Sequence, residues 1–75
     1  MNFAWHGDGR FARALGHGYD LRAGLLFDRL AFVWIVYDAA TMARLEWGEA
    51  RTMAGAQVQA ETIAARFLSG ALEAA

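Results

Sequence analysis

Residues 30–37 read Leu-Ala-Phe-Val-Trp-Ile-Val-Tyr, a run with bulky apolar side chains at odd and even positions alike. Its β-branched and aromatic residues favour an extended backbone. A strand sends alternate side chains to opposite faces, so such a run has to be buried on two sides or leave one apolar side open. In a chain of 75 residues with a single helical pattern, one helix covers one face. The other face becomes the question that the remaining residues have to answer.

The residues on either side of this run complete a sheet. Tyr19, Leu21, Ala23, Leu25 and Phe27 occupy odd positions, with Asp20, Arg22 and Gly24 between them, which is the alternation of a half-buried strand. If Asp28-Arg29 reverses the chain and Phe27 pairs with Leu30, then Leu25 opposes Phe32, Ala23 opposes Trp34 and Leu21 opposes Val36. A loop at Ala39-Ala40-Thr41-Met42 then pairs Val36 with Leu45 and Trp34 with Trp47. The expected core face is Leu21, Leu25, Phe27, Phe32, Trp34, Val36, Leu45 and Trp47. Both tryptophans are expected to fill the core, where aromatic side chains are most often found. Upstream, Gly7-Asp8-Gly9-Arg10 is a turn signal between Phe3/Trp5 and the alternating Phe11, Arg13 and Leu15, and Gly16-His17-Gly18 is a second break. A short N-terminal hairpin, or a strand followed by a loop, is expected there.

After Glu49-Ala50-Arg51 the period changes. Thr52 can cap a helix in which Met53, Ala56, Ala60, Ile63, Ala64, Phe67 and Ala71 recur at spacings of three and four. The small residues allow close approach to the sheet, and Ile63 and Phe67 add bulk. The expected fold is α+β: a three- to four-stranded antiparallel sheet, a β-meander over about 2–50, packed on one C-terminal helix over about 53–72, all in a single domain spanning 1–75.

Composition narrows the chemistry. With no cysteine, a disulfide framework, a thiolate metal site and a cysteine nucleophile are excluded, and a reducing cytoplasm is the expected compartment. The longest apolar run is far short of the ~20 residues that span a bilayer, so neither a membrane segment nor a secretory leader is expected. Seven basic residues, all arginine, stand against eight acidic ones, so general attraction to nucleic acid is weak. His6 and His17 have no neighbouring ligands at metal-site spacing, and Gly7-Asp8-Gly9-Arg10 lacks the rest of a calcium or phosphate loop. The single serine, Ser69, has no triad spacing. No enzyme activity, catalytic residue, metal or cofactor is expected.

What is left is the outer face of the sheet. The expected register places Asp20, Arg22, Val33, Ile35, Tyr37, Arg44 and Glu46 there, an apolar stripe rimmed by charges of both signs. An apolar, aromatic centre with a polar rim is the layout of a protein-binding patch. The same face could instead contact nucleic acid, or a second copy of the chain in a homodimer.

Trp5, Gly18-Tyr19-Asp20-Leu21, Trp34-Ile35-Val36-Tyr37-Asp38, Gly48-Glu49-Ala50 and Thr52 leading an alanine-rich helix occur in an order that resembles small phage and prophage proteins built as a β-meander on a C-terminal helix. The second half also looks like the sheet-and-helix module of AP2-type and integrase arm-binding domains. In those domains the exposed sheet enters the DNA major groove and is rich in arginine and lysine, whereas here only Arg22 and Arg44 stand among Asp20 and Glu46. Phage proteins of this size and composition include anti-CRISPR proteins. The resemblance therefore implies a non-enzymatic inhibitor that binds a bacterial defence effector complex in the host cytoplasm. A nucleic-acid-binding accessory protein is the alternative.

Overall fold

A computed structural model describes residues 3–26 and 31–70. Strands β1 (His6–Gly7), β2 (Phe11–Gly16), β3 (Tyr19–Leu26), β4 (Ala31–Asp38) and β5 (Arg44–Ala50) precede helix α1 (Met53–Leu68). They form one five-stranded antiparallel sheet in the order β1-β2-β3-β4-β5. The α+β meander is as expected, with more strands than expected because the N-terminal hairpin joins the sheet.

Local chemistry explains that extension. At the β1–β2 turn the Asp8 carboxylate accepts hydrogen bonds from the backbone N–H groups of Arg10 at 2.8 Å and Phe11 at 3.1 Å, an Asx arrangement that closes the turn. Those two bonds hold the Asp8 carboxyl below the usual carboxylate range. Between β2 and β3 the loop is His17-Gly18, with φ of 54° and 87°. Two successive left-handed residues match the twist of a hairpin, and they set Gly16 opposite Tyr19 and Arg13 opposite Arg22.

The β3–β4 register is the expected one: Leu25 opposes Phe32, Ala23 opposes Trp34 and Leu21 opposes Val36. Phe27 and the Asp28-Arg29 turn lie outside the described residues. The β4–β5 register differs from expectation. The loop runs through Ala43, with Met42 at φ 60° and the Asp38 carboxylate accepting from the N–H groups of Ala40 and Thr41. A bulge then leaves Leu45 unpaired, so Tyr37 opposes Arg44, Val36 opposes Glu46, Ile35 opposes Trp47 and Trp34 opposes Gly48. Trp47 is therefore not a core residue; it stands on the outer face, 52% exposed.

The reason lies at Gly48. A Cβ there would sit 2.6 Å from Cζ2 of Trp34, because the Trp34 indole lies flat across β5. From that position its Nε1–H donates to Oε1 of Gln59 on α1 at 2.8 Å. A second indole opposite Trp34 has no room, and the bulge moves Trp47 aside.

Helix α1 covers the inner face of β3, β4 and β5 with Ala56, Ala60 and Ala64, all fully buried in one cluster with Ala14, Leu21, Ala23, Trp34 and Val36. Thr52 caps it, its Oγ1 accepting from Gly55 N–H at 2.9 Å. The helix stops at Leu68, short of the expected end, where Ser69 N–H and Gly70 N–H bond back to Ala65 O and Phe67 O, and Gly70 takes φ 82°. Ala71 lies outside the described residues. Among those residues no helix is long and apolar enough to cross a membrane.

Two substitutions test this core. Trp34→Ala should cost roughly 3 to 5 kcal/mol in urea unfolding, as for other large core aromatics. Gly48→Ala should cost about 1 to 3 kcal/mol by overpacking against a ring that cannot withdraw; a Gly48→Ala protein as stable as the parent would show that the indole is not held across β5.

Candidate binding face of the sheet

The registers of all five strands define the side turned away from α1. One row across it is Phe11, Gly24, Val33 and Glu49; the next is His6, Arg13, Arg22, Ile35 and Trp47; the third is Leu15, Asp20, Tyr37 and Arg44. In β2 this face holds the bulky residues, because Ala12 and Ala14 are the buried ones. Phe11 is 51% exposed and Leu15 59%. With Val33, Ile35 and Tyr37 half-buried between them and Trp47, the face is broadly apolar, more than the scattered exposed residues of an ordinary surface.

Gly24 shapes its centre. With no side chain at that position, an open groove of about 260 Å³ lies between Phe11, Leu25 and Val33, and extends to Arg22, Ile35 and Tyr37. The Phe11 ring flanks it, 3.5 Å from where a Cβ on Gly24 would be.

Beside the groove lies a buried charge. Asp20 is fully buried although it belongs to the outer face. Arg13 reaches it diagonally from β2, with Nε 3.0 Å from Oδ1 and Nη2 2.7 Å from Oδ2. Arg22, two residues along β3 on the same side, places Nη2 3.0 Å from Oδ2. Its guanidinium also lies over the Tyr37 ring, 4.9 Å from the centroid, a cation–π contact. Hydrogen bonds from Arg13, then those from Arg22, hold the Asp20 carboxyl below its ordinary range against the opposing effect of burial. The same bonding raises the pKa of Arg13.

Of the residues expected on this face, Arg22, Val33, Ile35, Tyr37 and Arg44 lie there. Asp20 does too, but as a buried anchor beneath two arginines and not as an exposed rim charge. Glu46 does not: the bulge sets it opposite Val36, and its Oε1 accepts the backbone N–H of Trp47 at 3.1 Å. Trp47 takes the place next to Ile35 instead.

Phe11, Arg13, Leu15 and Trp47 are members of the face that sequence reasoning missed. A signal existed for the first three: once His17-Gly18 is recognised as a two-residue loop, Arg13 falls opposite Arg22, one diagonal from Asp20. For Trp47 the signal was Gly48, the residue able to lie beneath a large ring. Among the described residues no group of three or more histidine, aspartate or glutamate side chains is placed to hold a metal.

The Asp20 cluster has a pH signature. Its folded pKa is depressed, so its stabilisation is complete above the unfolded value of about 3.9 and is lost as pH falls through the lower folded value. Melting temperature should therefore drop steeply below about pH 4. Asp20→Asn should melt roughly 5 to 15 °C lower at pH 7 and show a shallower acid slope; an unchanged acid slope in that variant would remove Asp20 as its source. Set against protein-family models, curated proteins and solved structures, the chain has no significant match in any of the three.

Proposed function

We propose that the protein is a non-enzymatic binding module whose outer sheet face docks a protein partner, and that it acts as a phage-encoded inhibitor of a bacterial CRISPR-Cas effector complex. The observation that supports docking is an apolar face that no described helix covers: Phe11, Leu15, Val33, Ile35, Tyr37 and Trp47 on a sheet whose helix α1 lies on the other side. The inhibitor assignment is supported by the resemblance in size and element order to small phage proteins.

The face is a better docking surface than either edge of the sheet. β1 is only two residues long, and on β5 the bulge and the Glu46 carboxylate on Trp47 N–H interrupt the row of groups an added strand would pair with. Protein suits the face better than nucleic acid, because Asp20 cancels one of the two charges of Arg13 and Arg22, leaving a single local cationic point, and the groove walls are largely aliphatic or aromatic. Phosphate recognition needs a track of available cations.

Ile35→Glu places a charge at the centre of the face, away from the helix-covered core. With purified effector complexes as the target, it should abolish binding and any block of target-DNA cleavage, while circular dichroism and cooperative melting persist. Binding by the parent should survive moderate salt, whereas attachment through phosphates would weaken steeply. Full inhibition by a folded Ile35→Glu protein would overturn the assignment of this face. A stable dimer in sedimentation, dissolved by the same substitution, would assign the face to self-association.

A further inference from the structure

The outer face has a charge bias that the whole chain lacks. The chain carries a formal net charge of -1, yet on this face Arg13, Arg22 and Arg44 stand against Asp20 and Glu49. Asp20 cannot balance a partner, because it is fully buried and accepts from both neighbouring guanidiniums. Burying a carboxylate is costly unless it is paired and hydrogen-bonded; here it holds two arginines side by side. In both, the contact runs through the Nε and Nη2 edge, leaving the Nη1 groups without a hydrogen-bond partner among the described residues. The cluster retains one unit of positive charge next to the groove formed by Phe11, Val33, Ile35 and Tyr37.

From this geometry, and resting on the docking role proposed above, we infer that Arg13 and Arg22 form a carboxylate-receiving subsite. The occupant of the face is an acidic protein segment that seats an aliphatic or aromatic side chain in the groove over Gly24 and a glutamate or aspartate against the two Nη1 groups. Guanidinium-carboxylate bonds are directional and about twice as strong as neutral ones, so the subsite adds orientation to an otherwise non-directional apolar contact. Asp20 is the positioning residue, holding the guanidiniums without touching the partner. A second copy of the chain is a poor occupant, since it would bring its own three arginines to the contact.

The full chain can be tested with three probes: a peptide of about twelve residues alternating glutamate with isoleucine and tryptophan, its counterpart with glutamine for glutamate, and a dT oligonucleotide of similar length. The acidic peptide should bind at least roughly tenfold more tightly than the other two and shift the Nε–H resonances of Arg13 and Arg22. Arg13→Gln and Arg22→Gln should each reduce that preference, and Arg13→Lys should restore part of it, with melting curves confirming that each variant folds. Equal affinity for the acidic and glutamine peptides, tighter binding of the oligonucleotide, or binding of no peptide would overturn the subsite. If the two peptides bind equally and Ile35→Glu abolishes both, the docking face stands and only the carboxylate subsite fails. If acidic-peptide binding survives Ile35→Glu, the face and the subsite fail together.

Discussion

The contact between the Trp34 indole and Gly48 governs the arrangement of both layers. The ring occupies the space that a side chain at position 48 would need and bonds to Gln59 of the helix. A planar group of this size in a small core cannot be displaced without opening a cavity or forcing neighbours off their rotamers. Its position sets which residue of β5 can stand opposite, and so the register of the last strand. The indole of Trp5 makes the matching bond on the same helix, to Glu61. Two ring N–H groups reach Gln59 and Glu61, on either side of buried Ala60, and give the helix a defined azimuth that alanines by themselves would specify weakly.

The two sides of the sheet are built on different physics. Toward the helix, Ala14 and Ala23 on the sheet belong to one buried cluster with the alanine stripe of α1, so the layers approach closely and bulk comes from a few large residues such as Leu21, Trp34 and Val36. On the far side stand the large residues of β2 and the odd-numbered ones of β4, Val33, Ile35 and Tyr37, and order comes from the buried Asp20 carboxylate. Asp20 ties β2 to β3 through Arg13, and Arg22 ties the same carboxylate to Tyr37 of β4. A face organised in this way can remain rigid with no second layer of described residues covering it. That is useful for recognition, because binding then loses little side-chain freedom.

The meander, the capped helix, the β3–β4 register and the apolar doubleness of β4 were legible in the residues themselves. Each rests on local periodicity, turn chemistry or a pairing that keeps large residues together: the odd positions of 19–25, the glycines around His17, Thr52 ahead of an alanine stripe. Residues of the outer face on β3 and β4, Arg22, Val33, Ile35 and Tyr37, followed from the same alternation. What lay beyond reach depended on atoms far apart in sequence. Trp47 and Trp34 look equivalent along the chain; only the volume of one indole against its neighbouring strand, and the bulge that accommodates it, turns Trp47 outward and carries Glu46 off the face. Likewise Asp20 reads as one more polar residue in an alternating strand. Its burial, and the pair of oriented guanidiniums above it, exist only once the hairpin brings Arg13 alongside, because a carboxylate gains those bonds through spatial and not sequential proximity.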